Sequence, residues 1–183
     1  MASDLFLIGK VEDAGCRDLV KALVQGRNRE FRLFINSEGG NVYDALSLCQ
    51  LIKAHGRVDT ICLGVALSGA ADILAAGRRR YIVPRAVAML HQVEWEMPWQ
   101  FSSTLARNAR FVERLNDMLA DFLAEATGHT KKKILEDSRD DFYLYGEEII
   151  RYHLADALWP PRPARRGGRI VSKITRRIRG RRR

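Results

Sequence analysis

The chain has 183 residues, of which 46% are apolar and 29% charged, enough for one sizeable hydrophobic core and too little for two. No stretch reaches the roughly 20 consecutive apolar residues of a membrane-spanning helix, and the opening MASDLFLIGK lacks the basic segment and long apolar run of an export signal. The net charge of +9 is uneven: residues 160–183 carry eleven Lys and Arg and no acid, so residues 1–159 stand at −2 and a polycationic body is excluded.

Leu5 to Gly9 is a short apolar run suited to a buried strand, and Cys16, Leu19, Val20, Leu23 and Val24 then recur at helical spacing. Phe31 to Asn36 is a second strand, closed by Ser37-Glu38-Gly39-Gly40, after which Val42 to Ala54 resumes the helical period. Val58 to Leu63 is a third strand, the segment around Ser68 a turn, and Ala70 to Ala76 a short helix of small residues. Tyr81–Val83 and Ala86–Leu90 read as two further strands around a Pro84 turn, with His91 directly after the second.

Residues 101–126 carry the strongest helical period, through Phe101, Leu105, Val112, Leu115, Leu119, Phe122 and Ala126, with Ser102 or Ser103 as N-cap and Gly128 as stop. At about 39 Å such a helix is longer than most and can project from the body. Repeated strand–turn–helix units imply an α/β fold with a mostly parallel sheet and its chemistry at the carboxyl ends of the strands. The expected organisation is one domain over residues 1–159 and a basic tail over 160–183, flexible or an amphipathic helix. Cys16, Cys49 and Cys62 have no metal-ligand spacing and each sits in an apolar segment, as reduced core thiols of a soluble cytoplasmic protein would.

Three strand ends hold unusual residues. Gly39-Gly40 permits positive φ and an outward N–H, as an oxyanion site requires and as a plain tight turn also uses. Ser68 lies in GVALSGAA, a strand-to-helix turn of small residues; a serine there is ordinarily a helix N-cap, but it also has the exposure of a nucleophile elbow. His91 alone among the four histidines ends an apolar strand, ordinarily as a hydrogen-bonded core or surface residue, and it is the base for which Ser68 is the available nucleophile. The carboxylate that would orient the imidazole is open among Asp137, Asp140 and Asp141, with Asp72, Glu94 and Glu96 as rivals.

LFLIGKVEDA, FRLFINSEGGNVYDALSL, DTICLGVALSGAADILAAG, AVAMLHQ and ATGHTKKKILEDSRDDFYLYGEEIIRYHLAD resemble, in order and spacing, the proteolytic subunit of the Clp protease over about residues 5–158. The resemblance implies a spiral of β-β-α units related to the crotonase fold, with residues 101–126 as the handle helix that joins two stacked heptameric rings. It implies a serine endopeptidase acting on peptides or unfolded proteins inside an oligomeric chamber, with no cofactor and no metal. By position it makes Ser68 the nucleophile, His91 the base and Asp141 the orienting acid, with Gly40 and Gly69 as oxyanion donors.

Departures from the family pattern stand at Glu38 in place of Pro, Gly69 in place of Met and Asp72 in place of an apolar residue. Asp72, one helical turn from Ser68, is expected to compete with Asp141 for His91. The glycine-rich strand that pairs with substrate is replaced by VEWEMPWQF. Four residues before the first strand leave no room for the family's axial segment, so dependence on an AAA+ ATPase unfoldase is not expected to follow automatically. In the tail, Ile170, Ile174 and Ile178 form one stripe on a basic helix suited to nucleic acid, an anionic membrane or an acidic protein, and equally to a solvated end. Two rival readings are an inactive structural or regulatory subunit and, on grounds of fold relationship, an acyl-CoA enzyme.

Overall fold

The computed structural model describes residues 2–94 and 101–161. Glu96, most of VEWEMPWQF and the stripe of Ile170, Ile174 and Ile178 therefore lie outside the described residues.

Alternation of apolar and polar side chains builds β1 (Ser3–Val11) and β2 (Phe31–Gly40), where Leu7, Phe31, Leu33 and Ile35 are buried while Phe6 and Ile8 are exposed. Between them runs α1 (Asp13–Gln25), which buries Cys16, Leu19 and Leu23 at the spacing of one helical face. α2 (Val42–His55) starts at Asn41, whose side chain accepts from the N–H groups of Tyr43 and Asp44, and stops at Gly56 with φ 67°. β3 (Val58–Leu67) is buried along its first five residues, as expected of a strand covered on both faces. Then follow α3 (Gly69–Ala75), β4 (Arg80–Ile82) and β5 (Val87–Leu90).

The long helix α4 (Ser102–Thr127) ends at Gly128, φ 76°. Its N-cap differs from expectation: Phe101 occupies that position in extended conformation without a side-chain cap, and both serines fall inside the first turn. Beyond it lie α5 (Lys131–Asp137), capped by the Thr130 side chain, β6 (Phe142–Tyr145), α6 (Glu147–Arg151) and β7 (Ala157–Leu158).

The seven strands among the described residues form one sheet in the order β1-β2-β3-β4-β7, with β5 beside β3 and β6 beside β5. Every pairing is parallel except β5 with β6. α1 packs on α2, α2 on α3, α3 on α4 and α4 on α5, a helical layer that closes the core over β2 and β3. The three cysteines are buried in that core and form no disulfide, and burial pushes the Cys62 thiol up to about 12. No helix among the described residues is long and apolar enough to cross a membrane.

Candidate active site

Strand register brings the separated motifs together. β2 and β3 pair Ser37 with Ala66 and run on beyond that pair, which carries Gly39 onto the turn at Ser68. β3 and β5 pair Leu67 with Met89, and the Ser68 N–H donates to the Met89 carbonyl at 2.9 Å. Ser68 thus leaves the sheet directly after β3, next to where β5 ends and His91 begins. β5 and β6 run antiparallel with Leu90 opposite Phe142, so the residue after one faces the residue before the other: His91 and Asp141.

The side chains meet accordingly. Ser68 Oγ lies 2.7 Å from His91 Nε2. His91 Nδ1 faces two carboxylates, Asp141 Oδ1 and Glu94 Oε1, each at 3.5 Å. A serine hydroxyl that donates to Nε2 requires the tautomer protonated at Nδ1, the nitrogen the carboxylates face. Asp137 is engaged elsewhere, accepting from the Tyr152 hydroxyl at 2.6 Å and pairing with Lys133, and Asp140 is exposed beyond the end of α5.

Ser68 stands at the N-cap position of α3 but makes no capping hydrogen bond; its backbone sits at φ 53°, ψ −132°. Such a conformation costs a non-glycine residue roughly 1–3 kcal/mol and persists only where its surroundings enforce it. Here they do: the strand before it, the helix after it and the bond to Met89 hold the turn, and the hydroxyl points to His91 instead of the helix end.

Gly39 and Gly40 are not a terminating turn but the last residues of β2, at φ 91° and 151°. A Cβ on Gly40 would stand 2.5 Å from the Val11 carbonyl oxygen, and one on Gly69 would stand 2.8 Å from the Ala45 Cβ. Both positions are too close-packed for a side chain. Gly40, Gly69, Ser68 and His91 all line one cavity of about 520 Å³.

That cavity runs from Ser68 between α3, α4 and α5, past Asn116, Leu119, Leu123 and Ile134. Sequence reasoning passes over Asn116, whose side-chain oxygen accepts the Val93 N–H at 2.8 Å and so fixes the chain just after His91. Its one signal in the sequence is a polar amide beside the apolar stripe of α4. Asp72 also lines the cavity and is 7% exposed. The expected competition of Asp72 for His91 has no contact behind it: among the described residues no hydrogen bond or ion pair joins the two, and the carboxylates that face His91 Nδ1 are Asp141 and Glu94.

Comparison with known proteins bears on the same residues. A profile of the Clp protease family matches residues 2–162. The chain is 34% identical over 159 residues to the ATP-dependent Clp protease proteolytic subunit 3 of Synechococcus sp. (strain CC9902), an alignment that covers 83% of this chain and 80% of that one.

Proposed function

The chain belongs to the Clp protease family, and from that premise we propose that it is a serine-type endopeptidase acting on peptides or unfolded proteins, with Ser68 as nucleophile, His91 as general base and Asp141 as the carboxylate that orients it. The single observation that carries the reading is the 2.7 Å contact between Ser68 Oγ and His91 Nε2 on a strained strand-to-helix turn. A structural N-cap serine has no need of either feature.

In this mechanism Ser68 Oγ attacks the scissile carbonyl carbon while its proton passes to His91 Nε2. The N–H groups of Gly40 and Gly69 stabilise the oxyanion. His91 then returns the proton to the leaving amine, the C–N bond breaks, and an acyl-serine ester remains. Water, deprotonated by His91, cleaves the ester and restores the serine. Asp141 stabilises the imidazolium in both halves without taking its proton.

Assembly belongs to the same proposal. α4 exposes Leu105 at 48%, and Phe101, its N-cap, at 85%, a turn apart, an apolar surface of the kind that subunit contacts bury. We read it as the handle by which two rings, heptameric by family resemblance, enclose a chamber. An AAA+ unfoldase is the partner suggested by the "ATP-dependent" relative. A cytoplasmic setting agrees with three buried cysteines that form no disulfide.

Labelling of the assembled protein with a fluorophosphonate tests the reading. Modification of Ser68, lost in Ser68→Ala and strongly slowed in His91→Ala, is expected together with peptide hydrolysis. A properly assembled protein that neither labels nor cleaves would be an inactive subunit, and the proposal would fall.

A further inference from the structure

A buried carboxylate without a partner is costly, and proteins seldom keep one by accident. Asp72 is such a group. It is 7% exposed, and among the described residues its carboxylate has no hydrogen-bond or ion-pair partner. Burial pushes it up to about 7, with no compensating contact. It lies on α3 one turn after Ser68, about 6 Å along the helix axis, and it lines the same cavity.

The rest of the cavity sharpens the point. α4 and the segment of α5 contribute apolar or uncharged groups to it: Asn116, Leu119, Leu123, Ile134 and Ser138 among them. The charged residues on its wall are Glu38 and Glu94 at the mouth and Asp72 within, beside the titratable His91, and no Lys or Arg of the described residues lines it. Cys49 of α2, the other titratable group that senses Asp72, is held protonated by burial. A cavity that holds Ser68, the apolar side chains Leu119, Leu123 and Ile134, and one buried carboxylate without a partner among the described residues matches a side chain with an aliphatic stem and a cationic head.

Resting on the hydrolase reading above, we propose that this cavity receives a Lys or Arg side chain of the residue that supplies the scissile carbonyl, with Asp72 as its counter-ion. The desolvation of the carboxylate is already met on folding, so an arriving cation gains a strong, dry ion pair and restores the ionised acid. A norleucine side chain, of similar length and without charge, would instead seal Asp72 away from every partner. Discrimination then comes as much from the penalty on the wrong substrate as from attraction of the right one.

Fluorogenic peptides that differ only in carrying Lys, norleucine or Glu at that residue provide the test. On assembled wild-type protein, kcat/KM for Lys is expected to exceed that for norleucine by about tenfold or more, with Glu poorest. In Asp72→Asn, close to isosteric, and in Asp72→Ala the ratio of Lys to norleucine should fall to about one or below. Norleucine as the better wild-type substrate, or a Lys preference that survives both variants, overturns the inference. A second arm is independent of turnover: Ser68→Ala protein is titrated with benzamidine by calorimetry, and binding that disappears on adding Asp72→Asn is expected. Should no peptide be cleaved and Ser68 not label, the hydrolase reading fails while benzamidine still decides the cavity: Asp72-dependent binding upholds a cation site, and no binding removes it.

Discussion

Gly39 is pressed against Ser68: a Cβ built on this glycine would stand 2.8 Å from the Ser68 Cβ and 2.6 Å from the Leu67 carbonyl oxygen. Its φ of 91° adds a backbone cost of about 1–2 kcal/mol for any L side chain. The contact defines how near the end of β2 comes to the Ser68 turn. Gly39→Ala is therefore expected to displace that turn and lower peptide kcat/KM by about 100-fold or more, the scale seen when one oxyanion donor is misplaced. Gly128→Ala is the control, since Gly128 has similar φ, 76°, and nothing within 4 Å of its absent Cβ. It should cost about 1 kcal/mol of stability and leave kcat/KM within about twofold. Equal losses of activity in the two variants would mean that backbone strain, not proximity to Ser68, is what matters.

Two carboxylates share the distance to His91 Nδ1, but their supports differ. Asp141 is held by the β5–β6 ladder and accepts from the Tyr143 hydroxyl at 3.4 Å, whereas Glu94 is 84% exposed in its side chain and follows the strand end on a longer stem. Orientation of an imidazole needs the fixed partner. Asp141→Asn is expected to reduce kcat by roughly 10²- to 10⁴-fold with little change in KM, and Glu94→Gln by less than about threefold. Comparable losses from both substitutions would assign the orienting role to the pair.

How much of this was legible in the sequence depended on which force decided each element. The helical periods of α1, α2 and α4 are one-face patterns, and those helices stand where the spacing put them. β2 and β3 run past their expected ends, to Gly40 and Leu67, because parallel pairing with β1 and β5 continues across residues that read as turn formers. Local propensity is silent about such neighbours. β6 and β7 are too short for a period and exist through pairing alone. At the site, Ser68, His91 and Asp141 were visible as residues, and the antiparallel β5–β6 pairing that sets His91 beside Asp141 was not. Asp72 was visible only as a departure from the family pattern, since its burial is created by the packing of α2 and α4 on α3.

The apolar end of α4 makes a prediction about assembly. Leu105 and Phe101 face solvent in the isolated chain, so a charge there costs the subunit itself little. If this surface joins two rings, Leu105→Glu places an unpaired carboxylate in the joint. The expected result is a native mass about half that of the wild type, measured by sedimentation, with the circular dichroism of the subunit unchanged. An unaltered native mass would remove α4 from the interface.

Asp72 ties the proposed selectivity to a measurable stability defect. The unfolded chain ionises this carboxyl near its ordinary 3.8, whereas the folded chain holds it protonated up to about 7. Between those values unfolding releases a proton, so stability declines as pH rises from about 4 and the full penalty is present above about 7. A shift of this size corresponds to a penalty on the order of 4 kcal/mol. Asp72→Leu removes it and restores the apolar residue type of the family at that position. The variant should melt higher than the wild type at pH 8 by roughly 5 °C or more, with the difference shrinking towards zero at about pH 4.5, both followed by calorimetry at one fixed protein concentration. Asp59, held low by Arg78 and Arg79 against its burial, does not sense Asp72 and cancels in the difference. A gap that is the same at both pH values would show that the introduced leucine side chain packs better for reasons unrelated to charge, and a wild type more stable at pH 8 would mean that the carboxylate is already paired. Retention of a group this unfavourable is the pattern of a binding site whose cost to the fold is offset only when its ligand arrives.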